Sequence, residues 1–242
     1  MTAIEIKELT KKYKGITAVD NLSLSINEGE LFSLLGTNGA GKTTTIKMLC
    51  CLTAPTSGDA LLNGKSILTE SAEIKPQIAV SPQETAIAPG LSVYENLKLI
   101  CGVHGFKKDK SEGRIAELVE LLSLGEVLKR RAGKLSGGFQ RRLSIAMALI
   151  SEPKILFLDE PTLGLDVIAR SELWDVIRAL KGRVTVILTT HYMEEAEALS
   201  DRIAIMKSGK LLVCATPEQI KAQAQADSFE QAFIKIVKEA QK

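Results

Sequence analysis

The sequence predicts an α/β fold, a mainly parallel β-sheet interrupted by an inserted all-helical lobe. Two patterns point there: short apolar runs that each lead into a polar loop and then helical periodicity, and one long stretch in which only helical spacing survives. With 242 residues, 45% of them hydrophobic and 25% charged, the chain can build a sizeable core.

Taken in order, Leu22 to Ile26 alternate apolar and polar residues, as a half-exposed strand does, whereas Leu31 to Leu35 form a nearly continuous apolar run suited to a buried strand. The same reading gives buried strands at Ile78 to Val80, Ile155 to Leu158, Val184 to Leu188 and Ile203 to Met206. From Ser92 to about Ile150 the spacing is helical, with a Ser92/Glu95 capping box and an apolar face at Ile115, Leu118, Val119 and Leu122. Thr216, Pro217 and Gln219 mark a late helix start. Phe229, Ala232, Phe233, Ile236 and Val237 then put a stripe on a last helix, which is expected to pack on the core rather than on a partner.

A net charge of +2, from 31 basic and 29 acidic side chains, gives no field that would draw the chain to nucleic acid or acidic lipid. Four cysteines, Cys50, Cys51, Cys101 and Cys214, lack CxxC spacing and a nearby histidine pair, so reduced thiols are expected rather than a zinc site or a disulfide framework. No signal-peptide pattern opens the chain, and no apolar run approaches the ~20 residues that cross a bilayer. A soluble, cytoplasmic chain is the expectation.

Three motifs carry chemistry. Gly36, Thr37, Asn38, Gly39, Ala40, Gly41, Lys42, Thr43 and Thr44 fit GxxxxGK followed by Ser or Thr, placed after a buried strand and before a helix expected from Lys42 to about Leu52. Glycines let the backbone curl so that successive amides face a phosphate. Lys42 reaches the terminal phosphates, the Thr43 hydroxyl can ligate Mg²⁺, and the helix N-terminus adds partial positive charge. The strand Ile155 to Leu158 ends in Asp159 and Glu160, where one carboxylate can hold Mg²⁺ and the other can polarise a water. Read alone, the two acids could merely cap the turn at Pro161. In LSGGFQRR, from Leu135 to Arg142, Ser136, Gly137 and Gly138 stand at a helix N-terminus and form a second anion-seeking end, although alone the stretch could be only an N-capped helix.

In that order and separated by a helical insertion, GTNGAGKTT, LSGGFQ and ILFLDEP resemble the nucleotide-binding domain of ABC ATPases over nearly the whole chain. The resemblance implies a P-loop NTPase core with an N-terminal antiparallel β part, ATP and Mg²⁺ as ligands, and a single domain over 1–242. Within it, a helical subdomain at about 84–150 would be inserted between core segments at about 1–83 and 151–216, with C-terminal helices at about 217–242. It also implies roles for single residues: Tyr13 stacks on adenine, Val19 neighbours the ribose and base, Gln83 senses Mg²⁺ and water, Leu163 to Asp166 cross a dimer interface, and His191 contacts the γ-phosphate. A strand-end packing residue is the plainer reading of His191. Phe139, where many members have glutamine, and Val167, where proline is frequent after the aspartate, depart from the family pattern.

By the same resemblance, Ser136 of one subunit closes over the ATP held by another, in a head-to-tail homodimer or heterodimer. The segment from Thr190 to Glu197 looks like exporters of drugs, antibiotics and lipids. A motor subunit is thus implied, peripheral on the cytoplasmic face of the membrane and driving separate transmembrane permease subunits. A non-transport ABC ATPase acting on ribosome or DNA is the alternative. Such members are expected to carry coiled coils within the motif set or a second such domain, and a basic stripe for nucleic acid, so the transporter reading is the leading expectation.

Overall fold

The computed structural model describes residues 1–240. In chain order the elements are β1 (Thr2–Tyr13), β2 (Ile16–Asn27), β3 (Leu31–Gly36), α1 (Lys42–Leu49), β4 (Ser57–Leu62), β5 (Lys65–Ser66), α2 (Ser71–Ile74), β6 (Ile78–Ser81), α3 (Val93–Val103), α4 (Lys108–Leu121) and α5 (Gly137–Leu149). There follow β7 (Ile155–Asp159), α6 (Val167–Arg178), β8 (Thr185–Thr190), α7 (Met193–Leu199), β9 (Arg202–Lys207), β10 (Lys210–Ala215), α8 (Pro217–Ala224) and α9 (Phe229–Glu239). The last two residues of the expected 217–242 stretch lie outside the described range.

One sheet has the order β10-β9-β3-β8-β7-β6, and the other the order β2-β1-β4-β5. In the larger sheet every pairing is parallel except the β9–β10 hairpin, while all pairings of the smaller sheet are antiparallel. Strands β3, β7 and β8 are buried from end to end, which is why their sequences read as largely apolar runs rather than as alternating ones. Side-chain alternation sends Leu156 and Leu158 to a core shared with the helical lobe residues Leu97, Leu118 and Leu143. Ile155 and Phe157 face the opposite core, with Ile46 of α1 and Ile4 and Leu22 of the antiparallel sheet. The lobe is therefore packed onto one face of the sheet.

The expected Ser92/Glu95 capping box is formed, and the late helix starts at Thr216 as expected, where Thr216 and Gln219 form a second box. The stripe on α9 packs on the core: Phe229 and Ala232 are fully buried, with Phe233, Ile236 and Val237 against them. Two expectations need correction. Ile78, Ala79 and Val80 are only half-buried, because β6 is the edge strand. Helix α1 stops at Leu49, short of Leu52, because Cys51 turns the chain into the left-handed region at φ 56°.

The N-terminal antiparallel part implied by the resemblance is present, but β1 does not show in the sequence as a regular alternation because it is bulged. Its register shifts between Ile6 and Leu9, and Glu8 has φ 50°. Opposite that bulge sits Gly58, at φ +77°, where a Cβ would lie 2.2 Å from the Glu8 carbonyl oxygen. Gly64 has a similar φ, +79°, with open space around it. Gly58→Ala is therefore expected to destabilise by roughly 2–4 kcal/mol and Gly64→Ala by about 1 kcal/mol in urea unfolding. Equal losses would show that the close approach at the bulge carries no weight.

Candidate active site

The glycine loop leaves β3 and enters α1 through two points of close backbone approach, at Gly36 and Gly41. A Cβ on Gly36 would lie 2.4 Å from the Met206 carbonyl oxygen, and one on Gly41, at φ +103°, would lie 2.5 Å from that of Ala18. Glycine at these positions lets the backbone run between β9 and the β1–β2 hairpin. The amides of the first turn of α1 have no intrahelical acceptor and sit at the positive end of the helix dipole. Lys42 opens that helix with its side chain folded back, Nζ donating to the carbonyls of Gly36 at 2.7 Å and Thr37 at 3.4 Å.

Parallel pairing brings the carboxylates to the same level. Asp159 is in register with Thr189, and Leu35 with Thr190, so the ends of β3, β7 and β8 open at one edge of the sheet. Asp159 is buried, and its Oδ1 accepts from Thr189 Oγ1 at 2.5 Å and from Thr43 Oγ1 at 3.3 Å. Glu160 has φ 49°, an uncommon conformation for its type, and its amide donates to the Thr189 carbonyl at 3.1 Å. That turn aims its buried side chain into the cleft. There Oε1 lies 3.3 Å from Lys42 Nζ and Oε2 lies 2.7 Å from His191 Nδ1.

The cleft holds about 700 Å³, and its lining includes Asn38 to Thr44, Gln83, Glu160 and His191. Its rim adds Ile16, Thr17, Ala18, Leu163 and Ser208. Gln83, exposed, stands just beyond β6; the Pro82 carbonyl beside it accepts from Arg141 Nη1 at 2.9 Å, and Ser81 Oγ lies 2.9 Å from Ser144 Oγ. Both contacts tie the Gln83 turn to α5 of the helical lobe. Ser136, Gly137 and Gly138 cap and open α5 as expected but lie outside the cleft lining, next to Leu165 and Ala169.

Val19 requires correction. Its side chain is wholly buried in the core beneath Gly41, so it cannot face a ligand, and Ile16, Thr17 and Ala18 take that wall. Tyr13 is exposed, pairs in register with Ile16, and lies outside the lining. Sequence reasoning missed Thr189 as the donor to Asp159, and Ser208 on the β9–β10 turn. The turn reaches the glycine loop only through tertiary contact, the Gly209 amide donating to the Ala40 carbonyl at 3.1 Å.

Behind Glu160 lies an unforeseen carboxyl. Glu195 of α7 is fully buried, and its Oε1 accepts from Trp174 Nε1 at 3.2 Å. Its Oε2 and the nearby Thr162 hydroxyl are both buried without a hydrogen-bond partner. Burial pushes the Glu195 carboxyl above the usual carboxylate range, against the contrary pull of the polar groups around it, the Thr190 and Thr162 hydroxyls and Trp174 Nε1.

A glycine loop, a lysine at a helix start and strand-end carboxylates, all delivered to one edge of a parallel sheet, define the P-loop NTPase fold. Within that class the chain belongs to the ABC transporter family, whose pattern residues 19–163 match. It is 41% identical to the probable multidrug ABC transporter ATP-binding protein YbhF of Escherichia coli, over 98% of this chain and 42% of that protein. It is 40% identical to the daunorubicin/doxorubicin resistance ATP-binding protein DrrA of Streptomyces peucetius, over 91% of this chain and 67% of that protein. The chain thus spans less than half the length of the E. coli relative. Among solved structures it is similar to an ATP binding subunit of an ABC transporter, at TM-score 0.84 and 27% identity, covering 98% of this chain and 100% of that one. It is also similar to cbiO1 of Clostridium perfringens, part of the ABC transporter complex cbiONQ, at TM-score 0.85 and 26% identity, covering 92% and 91%.

The raised Glu195 carboxyl has a consequence for stability. The folded protein keeps that proton to higher pH than the unfolded chain does, so this contribution is full in acid and is lost as pH rises through the folded-state value. Glu195→Gln keeps the shape with no proton to lose. The Tm of the variant relative to the natural protein is expected to climb as pH rises from about 5 to about 8. Parallel Tm curves would contradict a raised Glu195 carboxyl.

Proposed function

We propose that this chain binds and hydrolyses ATP as the motor subunit of an ABC transporter. The observation that carries the proposal is the convergence of Lys42, Glu160 and His191 beside the glycine loop, with Glu160 held between the other two. Phosphates seated on the loop amides would draw Lys42 Nζ away from Glu160. Oε1 would then be free to accept a proton from the attacking water, while Oε2 stays on His191 Nδ1.

The hydroxyl of Thr43 and the carboxylate of Asp159, already 3.3 Å apart, are hard oxygen donors of the kind Mg²⁺ takes, with Gln83 on the same cleft wall. Among the described residues no cluster of three or more His, Cys, Asp or Glu could hold a metal alone, which fits an ion that arrives with the nucleotide. Bound there, Mg²⁺ would neutralise charge on the phosphate oxygens. Tyr13, exposed beside Ile16, is assigned to stack on adenine.

The exposed Ser136 and its glycines lie away from the cleft, so a second ATPase chain, identical or homologous, is assigned to present them head-to-tail. Among the described residues no helix is long and apolar enough to cross a membrane, and the membrane path is assigned to separate permease subunits. On this reading the chain works at the cytoplasmic face, as one ATP-binding unit over 1–242 with its helical lobe at about 84–150. The multidrug and doxorubicin-resistance names of the relatives favour export over a ribosomal or DNA role.

Two variants test the chemistry. Glu160→Gln is expected to cut ATP turnover by roughly 10²-fold to 10⁴-fold while ATP still binds. Lys42→Ala is expected to weaken ATP binding itself, by about tenfold or more in a titration. Near-normal turnover in the first, or unchanged affinity in the second, would contradict the assigned roles.

A further inference from the structure

Glu160 is fixed by strand ends, but His191 stands on the loop after β8, where an imidazole can swing about its last torsion. Something must hold it. Tyr192 lies against it, the two ring centroids being 4.1 Å apart at 39°. Consecutive side chains of an extended strand point to opposite sides, so this contact needs the chain to turn. The turn is made where Tyr192 becomes the N-cap of α7, with its amide donating to Thr190 Oγ1 at 2.9 Å.

Tyr192 is held in turn by Arg170 of α6, whose guanidinium carbon lies 4.6 Å from the tyrosine ring centroid. Arg170 Nε is buried with no hydrogen-bond partner, so the ring is the contact that places the guanidinium there. The result is a stack running from Arg170 through Tyr192 and His191 to Glu160. Neither Arg170 nor Tyr192 lines the nucleotide cleft.

We propose that Tyr192, gripped by Arg170, is a positioning residue that locks the His191 imidazole with Nδ1 on Glu160. The role needs an aromatic face and no hydroxyl, so phenylalanine can fill it and alanine cannot. It rests on the ATPase reading only for its kinetic consequence. Because Tyr192 lies off the cleft, its loss should lower kcat and leave the KM for ATP nearly unchanged.

The test reads the imidazole directly. The chain has two histidines, His104 and His191, so ¹⁵N NMR of a His104→Gln background shows His191 alone. A locked ring that donates from Nδ1 gives the pattern of one protonation form at that nitrogen. Tyr192→Ala is expected to replace it with a tautomer-averaged pattern and to lower kcat about tenfold with KM within about twofold. Tyr192→Phe is expected to restore both, and Arg170→Met to shift both in the direction of Tyr192→Ala. An unchanged imidazole pattern in Tyr192→Ala, or a Phe variant as impaired as the Ala variant, overturns the proposal. If Tyr192→Ala does not fold, Arg170→Met and Tyr192→Phe decide it in the same spectra. Absent hydrolysis by the natural protein would count against the ATPase reading and leave the NMR result to judge the lock.

Discussion

The pairing of Lys42 with Glu160 is the contact on which the rest of the site depends. Both side chains are under one-tenth exposed, at 6% and 9%, so neither charge is stabilised by bulk water. A buried charge that loses its partner costs about 3–5 kcal/mol, so each holds the other in place until another charge is offered. In the proposed function, a nucleotide phosphate would offer that charge to Lys42. The exchange would move a cation from a carboxylate to a nucleotide and leave the carboxylate oxygen free for water. Binding and readiness for catalysis would then be one event.

The fold exists to bring these groups to a common edge. Parallel register sets Leu35 beside Thr190 and Asp159 beside Thr189, so the glycine loop, the two acids and His191 leave the sheet at one level. The helical lobe enters through two contacts, Arg141 to the Pro82 carbonyl and Ser144 to Ser81, which link α5 to the turn that bears Gln83. Direct hydrogen bonds thus join the lobe to the cleft wall. Ser136 stands at the start of the same helix.

Much of the site was legible because its parts are contiguous. Gly36 to Thr44 carry their own geometry, since glycines, lysine and threonine must follow a strand and start a helix to work. Asp159 and Glu160 follow an apolar strand that announces itself. The central parallel strands β3, β7 and β8 were legible because they are buried on both faces. What could not be read depends on residues that meet only in the fold. Glu8 and Gly58 lie 50 positions apart, and their bulge breaks the alternation that would have revealed β1. Val19 looked like a ligand contact because the family pattern places that segment near the nucleotide, but the strand turns it inward and presents Ile16, Thr17 and Ala18. Thr189, Glu195 and the Arg170–Tyr192 stack are ordinary residues in the sequence, and only packing gives them a place beside Glu160.

The most direct test of this account is a crystal structure of the Glu160→Gln protein with Mg²⁺ and ATP, beside one of the natural protein without nucleotide. The exchange predicts Lys42 Nζ on the Glu160 carboxylate in the second structure, and on phosphate oxygens at about 3 Å in the first. Phosphates bound away from the glycine loop, with Lys42 still folded onto residue 160 and the Gly36 carbonyl, would contradict it.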